Sequence, residues 1–287
     1  MSWRLRVRHT TGYRYDDAVV SSYNEARLTP QTAVGQLTLE AQIRTSPEAS
    51  QHRYWDYWGT QVTAFDVQQP HSALEVTSSS VVDTSDGQPA PREDPGWQQL
   101  RAAHLRDRFW EVLAPTARTG CDDDMAEAAH ATARGLTPRD TVMALTGLVH
   151  EHVDYVPGAT GVRTSATQAW VLRQGVCQDI AHVSLALLRE LGLPARYCSG
   201  YLHPVVDAEV GAEVTGESHA WVEVWLDGWW AYDPTNQVPV GQRHVLVARG
   251  RDYTDVTPLK GIYSGRGAQA LGVQVALTRL LQWSASQ

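Results

Sequence analysis

Cysteine is scarce. The 287 residues hold 3 cysteines, Cys121, Cys177 and Cys198, an odd number with no close pairing. That argues against a disulfide scaffold and fits a reducing compartment. Positive charge is in deficit as well: 24 Lys and Arg stand against 32 Asp and Glu, a net charge of −8, which argues against a broad nucleic-acid surface. No stretch approaches the ~20 apolar residues needed to cross a bilayer. The N-terminus, Ser2-Trp3-Arg4-Leu5-Arg6, alternates charged and apolar residues where a signal peptide would carry a continuous apolar run. A cytoplasmic protein with no nucleic-acid and no membrane partner is expected. Internal repeats are lacking too. What is abundant is apolar: 43% of the residues are hydrophobic, enough for a real core, in a chain long enough for one large or two medium domains.

Residues 1 to about 85 read as β structure. Trp3, Leu5 and Val7 alternate with Arg4, Arg6 and Arg8, the two-residue period of a half-buried strand. Leu37, Leu39, Ala41 and Ile43 repeat it, and 62–67 and 74–82 are further β-rich runs, separated by Thr29-Pro30, Ser46-Pro47 and Gln69-Pro70. The loop at 83–96, rich in proline and acidic residues, reads as a domain boundary, giving a β-rich region at 1–90 and a second unit at 91–287. The pattern from there to about 155 is helical. Asp122-Asp123-Asp124 leads one helix that stops at Gly135. Thr137 caps the next, with Pro138 tolerated at its first position. Strands are expected at 195–202, 218–226, 229–234, 244–248 and 270–278.

Gly175-Val176-Cys177-Gln178-Asp179 opens a run that is apolar around most of its circumference and ends at Gly192 and Pro194, so it predicts a central, buried helix. Amides at a helix start lack intrahelical partners, and the dipole there favours an anion. A thiol in that place is a candidate nucleophile and the same amides a candidate oxyanion site. The competing reading makes Cys177 a small buried hydrophobe. Cys121 precedes an acidic triplet that disfavours its thiolate, and Cys198 sits in a strand-like run as packing. Asp179 is placed as favourable charge in the first turn. His182 lies about 140° around the helix from Cys177 and should point away; His203, beside Pro204, fits a loop.

His219 shares one strand face with Trp221, Glu223 and Trp225. Asp227-Gly228 then turns the chain into Trp229-Trp230-Ala231-Tyr232-Asp233, a hairpin signal. A two-residue loop would put His219 and Asp233 on opposite faces. A three-residue loop, Leu226-Asp227-Gly228 with Gly228 left-handed, pairs Trp225 with Trp229 and brings His219 diagonal to Asp233, roughly 7–8 Å between backbones. In that register Asp233 orients His219 and His219 serves as base to Cys177. Trp221 could wall the cleft. A zinc site on Cys177 and His219 lacks the usual close-spaced ligand pair.

Cysteine, histidine and aspartate in this order, within Gly-Val-Cys-Gln-Asp, Ser-His-Ala-Trp-Val-Glu-Val and Asp-Pro-Thr-Asn, resemble the bacterial transglutaminase-like family, a branch of the papain-type thiol enzymes. The core match spans roughly residues 135 to 240. Tyr54-Trp55-Asp56 and Gly59-Thr60-Gln61-Val62 resemble the β-rich N-terminal domain joined to such cores. The resemblance implies an α+β fold, with a papain/transglutaminase-like core whose cysteine helix packs on an antiparallel sheet. It implies Cys177 as nucleophile, His219 as base and acid, and Asp233 as orienter. Animal members cross-link glutamine to lysine with calcium, whereas many microbial members resemble peptidases or amide hydrolases. No EF-hand or dense acidic loop is present, so no cofactor is expected. Tyr155, Gln168 and Trp170 are weak candidates for a second oxyanion donor. The expected function is acyl transfer at an amide or peptide bond of a peptide, protein or small amide, hydrolysis before cross-linking. A non-catalytic protein-binding module on the same fold is the alternative.

Overall fold

Alternation at the N-terminus does produce a strand, and a longer one than the pattern spans. The computed structural model describes residues 2–86, 91 and 94–283. Six strands come first: β1 (Ser2–Val19), β2 (Ser22–Ala26), β3 (Gln36–Ser46), β4 (Gln51–Trp55), β5 (Gln61–Val67) and β6 (His71–Ser85). The helical region follows with α1 (Trp97–Leu100), α2 (Ala103–Arg108), α3 (Trp110–Leu113), α4 (Asp123–Thr132) and α5 (Pro138–His152). Then come β7 (Asp154–Tyr155), α6 (Ala166–Leu172), β8 (Gln174–Gly175) and the cysteine helix α7 (Cys177–Glu190). The chain closes with β9 (Ala195–Leu202), β10 (Glu213–Trp225), β11 (Trp229–Asp233), β12 (Val238–Pro239), β13 (His244–Gly250), α8 (Tyr253–Val256), β14 (Leu259–Tyr263) and β15 (Ala268–Trp283).

The architecture is α+β, with a nine-stranded sheet among the described residues ordered β12-β11-β10-β15-β1-β6-β3, and with β9 pairing both β10 and β13. A second sheet runs β14-β2-β5-β4. Of the loop expected at 83–96, Asp83 to Ser85 belong to β6, and residues 87–90 and 92–93 lie outside the described residues. Sheet hydrogen bonds join the segments on either side of it: β15 pairs antiparallel with β1 and with β10.

Caps form where the sequence places them. Asp122 accepts from the Met125 amide and Thr137 from the Asp140 amide, each satisfying an amide that the helix leaves free. Helix α7 is buried on nearly every side. Its apolar residues, Ile180 and Leu187 among them, share one core cluster with Ala220, Val222 and Val224 of β10, which seats the cysteine helix on the antiparallel sheet. Arg189, buried at its far end, donates to the Ala195 and Arg251 carbonyls and to Thr119; those bonds are what make a charge tolerable there.

Candidate active site

Cys177 is the first residue of α7 and is half-buried. Its amide therefore has no intrahelical acceptor. Its entry is held by a side chain on the helix itself: Asp179 Oδ2 accepts from the Val176 amide at 2.9 Å and from the Thr160 hydroxyl at 2.6 Å. Asp179 thus ties the preceding loop to the helix start as well as adding charge to the first turn. The contact is close enough to require glycine at 175, because a Cβ there would lie 2.7 Å from the Asp179 Cβ. Gly175→Ala must push Asp179 and the helix start apart. Alkylation of Cys177 by iodoacetamide is expected to slow about tenfold, while the fold survives; an unchanged rate would show that the helix start tolerates the shift.

The thiol of Cys177 lies 4.0 Å from the Ser218 carbonyl, one residue before His219 on β10. The hairpin beyond it pairs Trp225 with Trp229, Val224 with Trp230, Glu223 with Ala231 and Val222 with Tyr232. This is the register that puts His219 on the face of Asp233. The left-handed residue in the loop is Asp227, with φ of 61°, where Gly228 was expected. An aspartate tolerates that region through its short polar side chain, and the Leu226 amide closes the turn onto the Gly228 carbonyl at 2.9 Å.

His219 Nε2 donates to Asp233 Oδ2 at 2.7 Å, which leaves Nδ1 for the cysteine. Asp233 is wholly buried and is the hub of the site. Its Oδ2 also accepts from Asn236 Nδ2 at 2.8 Å and from His244 Nε2 at 3.1 Å, and its Oδ1 accepts from the Thr235 and Asn236 amides. The Asp-Pro-Thr-Asn turn wraps donors around its own carboxylate, as aspartate-led turns do. Burial alone would raise the carboxyl pKa. The hydrogen bonds and charge of His219 and His244 outweigh burial and hold it far below the carboxylate range.

His219 shows the complementary shift. Burial disfavours the charged ring, but Asp233 on one side and Cys177 on the other push its pKa up to about 10 from 6.5. The folded chain therefore keeps a proton that the unfolded chain loses. That contribution to stability is complete below about pH 6.5 and is lost as the pH rises towards about 10. Melting temperature between those limits should fall more steeply with pH in the wild type than in His219→Gln; parallel slopes would mean the proton is not held.

His244 escaped sequence reasoning. It starts β13, is buried, and accepts from the Gly241 amide at Nδ1, so its hydrogen sits on Nε2, facing Asp233. Burial and the neighbouring His219 lower its pKa against the pull of Asp233, and it stays neutral. His219, Asp233 and His244 bring ligand-type atoms within 4.8 Å of one another. Both ring hydrogens are spent on the carboxylate, so a cation would have to displace them.

His182 is buried away from the thiol, accepting from the Tyr253 amide, with its pKa pushed down to about 3 by burial. His203 packs its ring on Trp3. Cys198 is fully buried, and burial raises its thiol pKa well above normal; burial, Glu190 and Asp122 raise that of Cys121 to about 12. Gln168 is consumed in a capping box with Ser165, and Trp170 donates to Asp124. Trp221 is 1% exposed and lines a cavity that neither Cys177 nor His219 lines. Tyr155, paired with Gly175 across the short β7–β8 ladder, is close enough for Cys177 and Glu217 to raise its pKa, after burial, to about 12.

Residues 5–83 match the bacterial transglutaminase-like N-terminal region, and residues 126–234, which hold Cys177, His219 and Asp233, match the transglutaminase-like superfamily. An uncharacterized Mycobacterium leprae protein is 49% identical over 97% of this chain and 99% of its own length. A protein-glutamine gamma-glutamyltransferase of Pseudomonas aeruginosa is 33% identical over 156 residues, 49% of this chain and 22% of that protein. A Cytophaga hutchinsonii crystal structure, described as a candidate cysteine protease, superposes with a TM-score of 0.78 over 99% of this chain and 93% of that one at 21% identity, a likeness of fold. The chain belongs to the transglutaminase-like superfamily, with the bacterial transglutaminase-like N-terminal region preceding its core.

Proposed function

We propose that this protein is a cysteine-dependent acyl-transfer enzyme that cleaves a carboxamide or peptide bond through a thioester, releasing the acyl group to water in preference to an amine. The observation that carries the proposal is the 2.7 Å contact of His219 Nε2 with the buried Asp233, on a ring whose pKa is raised also by the nearby Cys177 at a helix N-terminus. An imidazole held in one tautomer by a carboxylate and set against a thiol is the arrangement that activates sulfur.

In this reading the Cys177 sulfur attacks the carbonyl carbon as its thiolate. The oxyanion is met by the Cys177 amide, which the helix leaves free. Protonated His219 gives its Nδ1 hydrogen to the departing nitrogen, the C–N bond breaks, and an amine or ammonia leaves with the thioester behind. Neutral His219 then takes a proton from water as the oxygen attacks; the C–S bond breaks and a carboxylic acid is released. Asp233 keeps the ring oriented and stays ionised throughout.

The test is turnover of a blocked-peptide library with and without a fluorescent primary amine, read with intact-mass detection of an acyl adduct. An adduct confined to Cys177, acid product exceeding amide product, and no turnover by Cys177→Ala are expected. Full turnover by Cys177→Ala would refute the proposal.

A further inference from the structure

On the face of β10 turned away from α7 lies a cavity of about 320 Å3 that neither Cys177 nor His219 lines. One wall is the Ala33–Gln36 stretch of the N-terminal region; the other is β10, β11 and β13. The walls are fixed to each other. Gln36 donates to the Leu246 carbonyl at 2.8 Å and accepts from its amide at 2.7 Å, and the Gln31 amide also reaches that carbonyl. The space is thus preformed, as small-ligand sites are.

Its charges do not balance. Arg196, Arg249 and Glu223 are the charged side chains that line it, and both guanidiniums bond the same carboxylate. One positive charge remains in excess, because His244, the other ionisable group on the wall, is kept neutral by burial. The Arg196 guanidinium carbon lies over the Trp229 ring, 3.9 Å from its centre, a contact that softens the excess without cancelling it. Trp221, also on the wall and 1% exposed, has an indole N–H with no partner. A surplus cation and an unpaired donor beside Val34, Val240 and Leu246 call for an anion with a short apolar body.

We infer that this cavity is a binding site for a small monocarboxylate, whose carboxylate meets Arg196 and whose apolar end rests on the valines. The site goes beyond the acyl-transfer reading and stands without it. It touches the triad at one point, since His244 both lines the cavity and donates to Asp233.

Calorimetric titration of the full chain with benzoate and with benzamide, which share a shape and differ in charge, tests the inference. Benzoate is expected to bind with a Kd below about 1 mM and benzamide at least about tenfold more weakly. Arg196→Gln, folded by circular dichroism, should weaken benzoate at least about tenfold. Ala231→Phe, which fills the cavity without touching a charge, should abolish binding and covers the case in which the arginine variant fails to fold. Protein with Cys177 blocked by iodoacetamide should bind benzoate as before. Equal binding of the two ligands, no binding below about 1 mM, or loss of binding on blocking Cys177 would each overturn the inference, the last by placing the ligand at the thiol.

Discussion

Asp233→Ala is expected to lower folding stability by about 3–5 kcal/mol and turnover by at least about 10³-fold. The stability loss follows from what the carboxylate holds. Four side-chain and backbone groups besides His219 donate to it: the Thr235 and Asn236 amides, Asn236 Nδ2 and His244 Nε2. Alanine would leave them all pointing into a space with no acceptor, at full desolvation cost, and would strand an imidazole that Asp233 helps keep charged. For a chain of this size that corresponds to a fall in melting temperature of roughly 10 °C. Asp233→Asn separates the two roles. It preserves shape and one of the two acceptor oxygens, so stability should fall less, but its amide cannot hold the imidazolium and the rate should still drop by about 10⁴-fold. Urea melts and single-turnover rates on the two variants decide the matter: a wild-type rate in Asp233→Asn would remove Asp233 from the reaction and leave it a structural hub.

The part of this site that was legible in the sequence was the part governed by local geometry. A strand shows alternate residues on alternate faces, so the demand that His219 and Asp233 meet fixes the hairpin loop as odd, and Trp225 does pair with Trp229. The detail of the turn was not legible. Which of Asp227 and Gly228 takes the left-handed conformation depends on how the loop closes, and glycine, the better candidate by propensity, is not the residue used. The helix start was legible for the same local reason, but the reach of Asp179 back to Thr160 was not, because it joins two segments through a loop without periodicity.

His244 marks the limit. Residues 244–248 read as a strand, and His244 stands at its first position. Nothing in that pattern says that β13 lies against β9, which is what delivers the ring to Asp233. A histidine before an apolar run, eleven residues after the aspartate, was the available signal, and it is indistinguishable in sequence from ordinary packing. The sheets obey the same rule. Strand positions were readable at 62–67 and 195–202, but not the division between the two sheets, nor the insertion of β15 between β1 and β10. Pairing of distant strands is decided by the whole chain and leaves no period along it.

Glu223→Gln should be the other severe change, with a loss of about 3–5 kcal/mol at a position that contributes no atom to the chemistry. Glu223 accepts from Arg196 at 2.6 Å and from two nitrogens of Arg249 at 2.9 and 3.0 Å. Its pKa is lowered because the arginines outweigh its burial. Glutamine keeps the shape but leaves two half-buried guanidiniums facing each other with no counter-charge. The expectation for replacing the whole group is opposite in kind. With Arg196→Met, Glu223→Leu and Arg249→Met together, no charge needs desolvation, and stability should return to within about 1–2 kcal/mol of the wild type or exceed it. Denaturant midpoints of the single and triple variants test this; a triple variant as unstable as Glu223→Gln would mean that the ion group contributes net stability. If the triple variant recovers, the charges are not retained for stability. Arg249 also donates to Gln31 at 2.6 Å, so the group anchors the N-terminal wall of the cavity as well as charging it. A triple variant that folds, keeps Cys177 reactive and no longer binds benzoate would assign these three residues to ligand recognition.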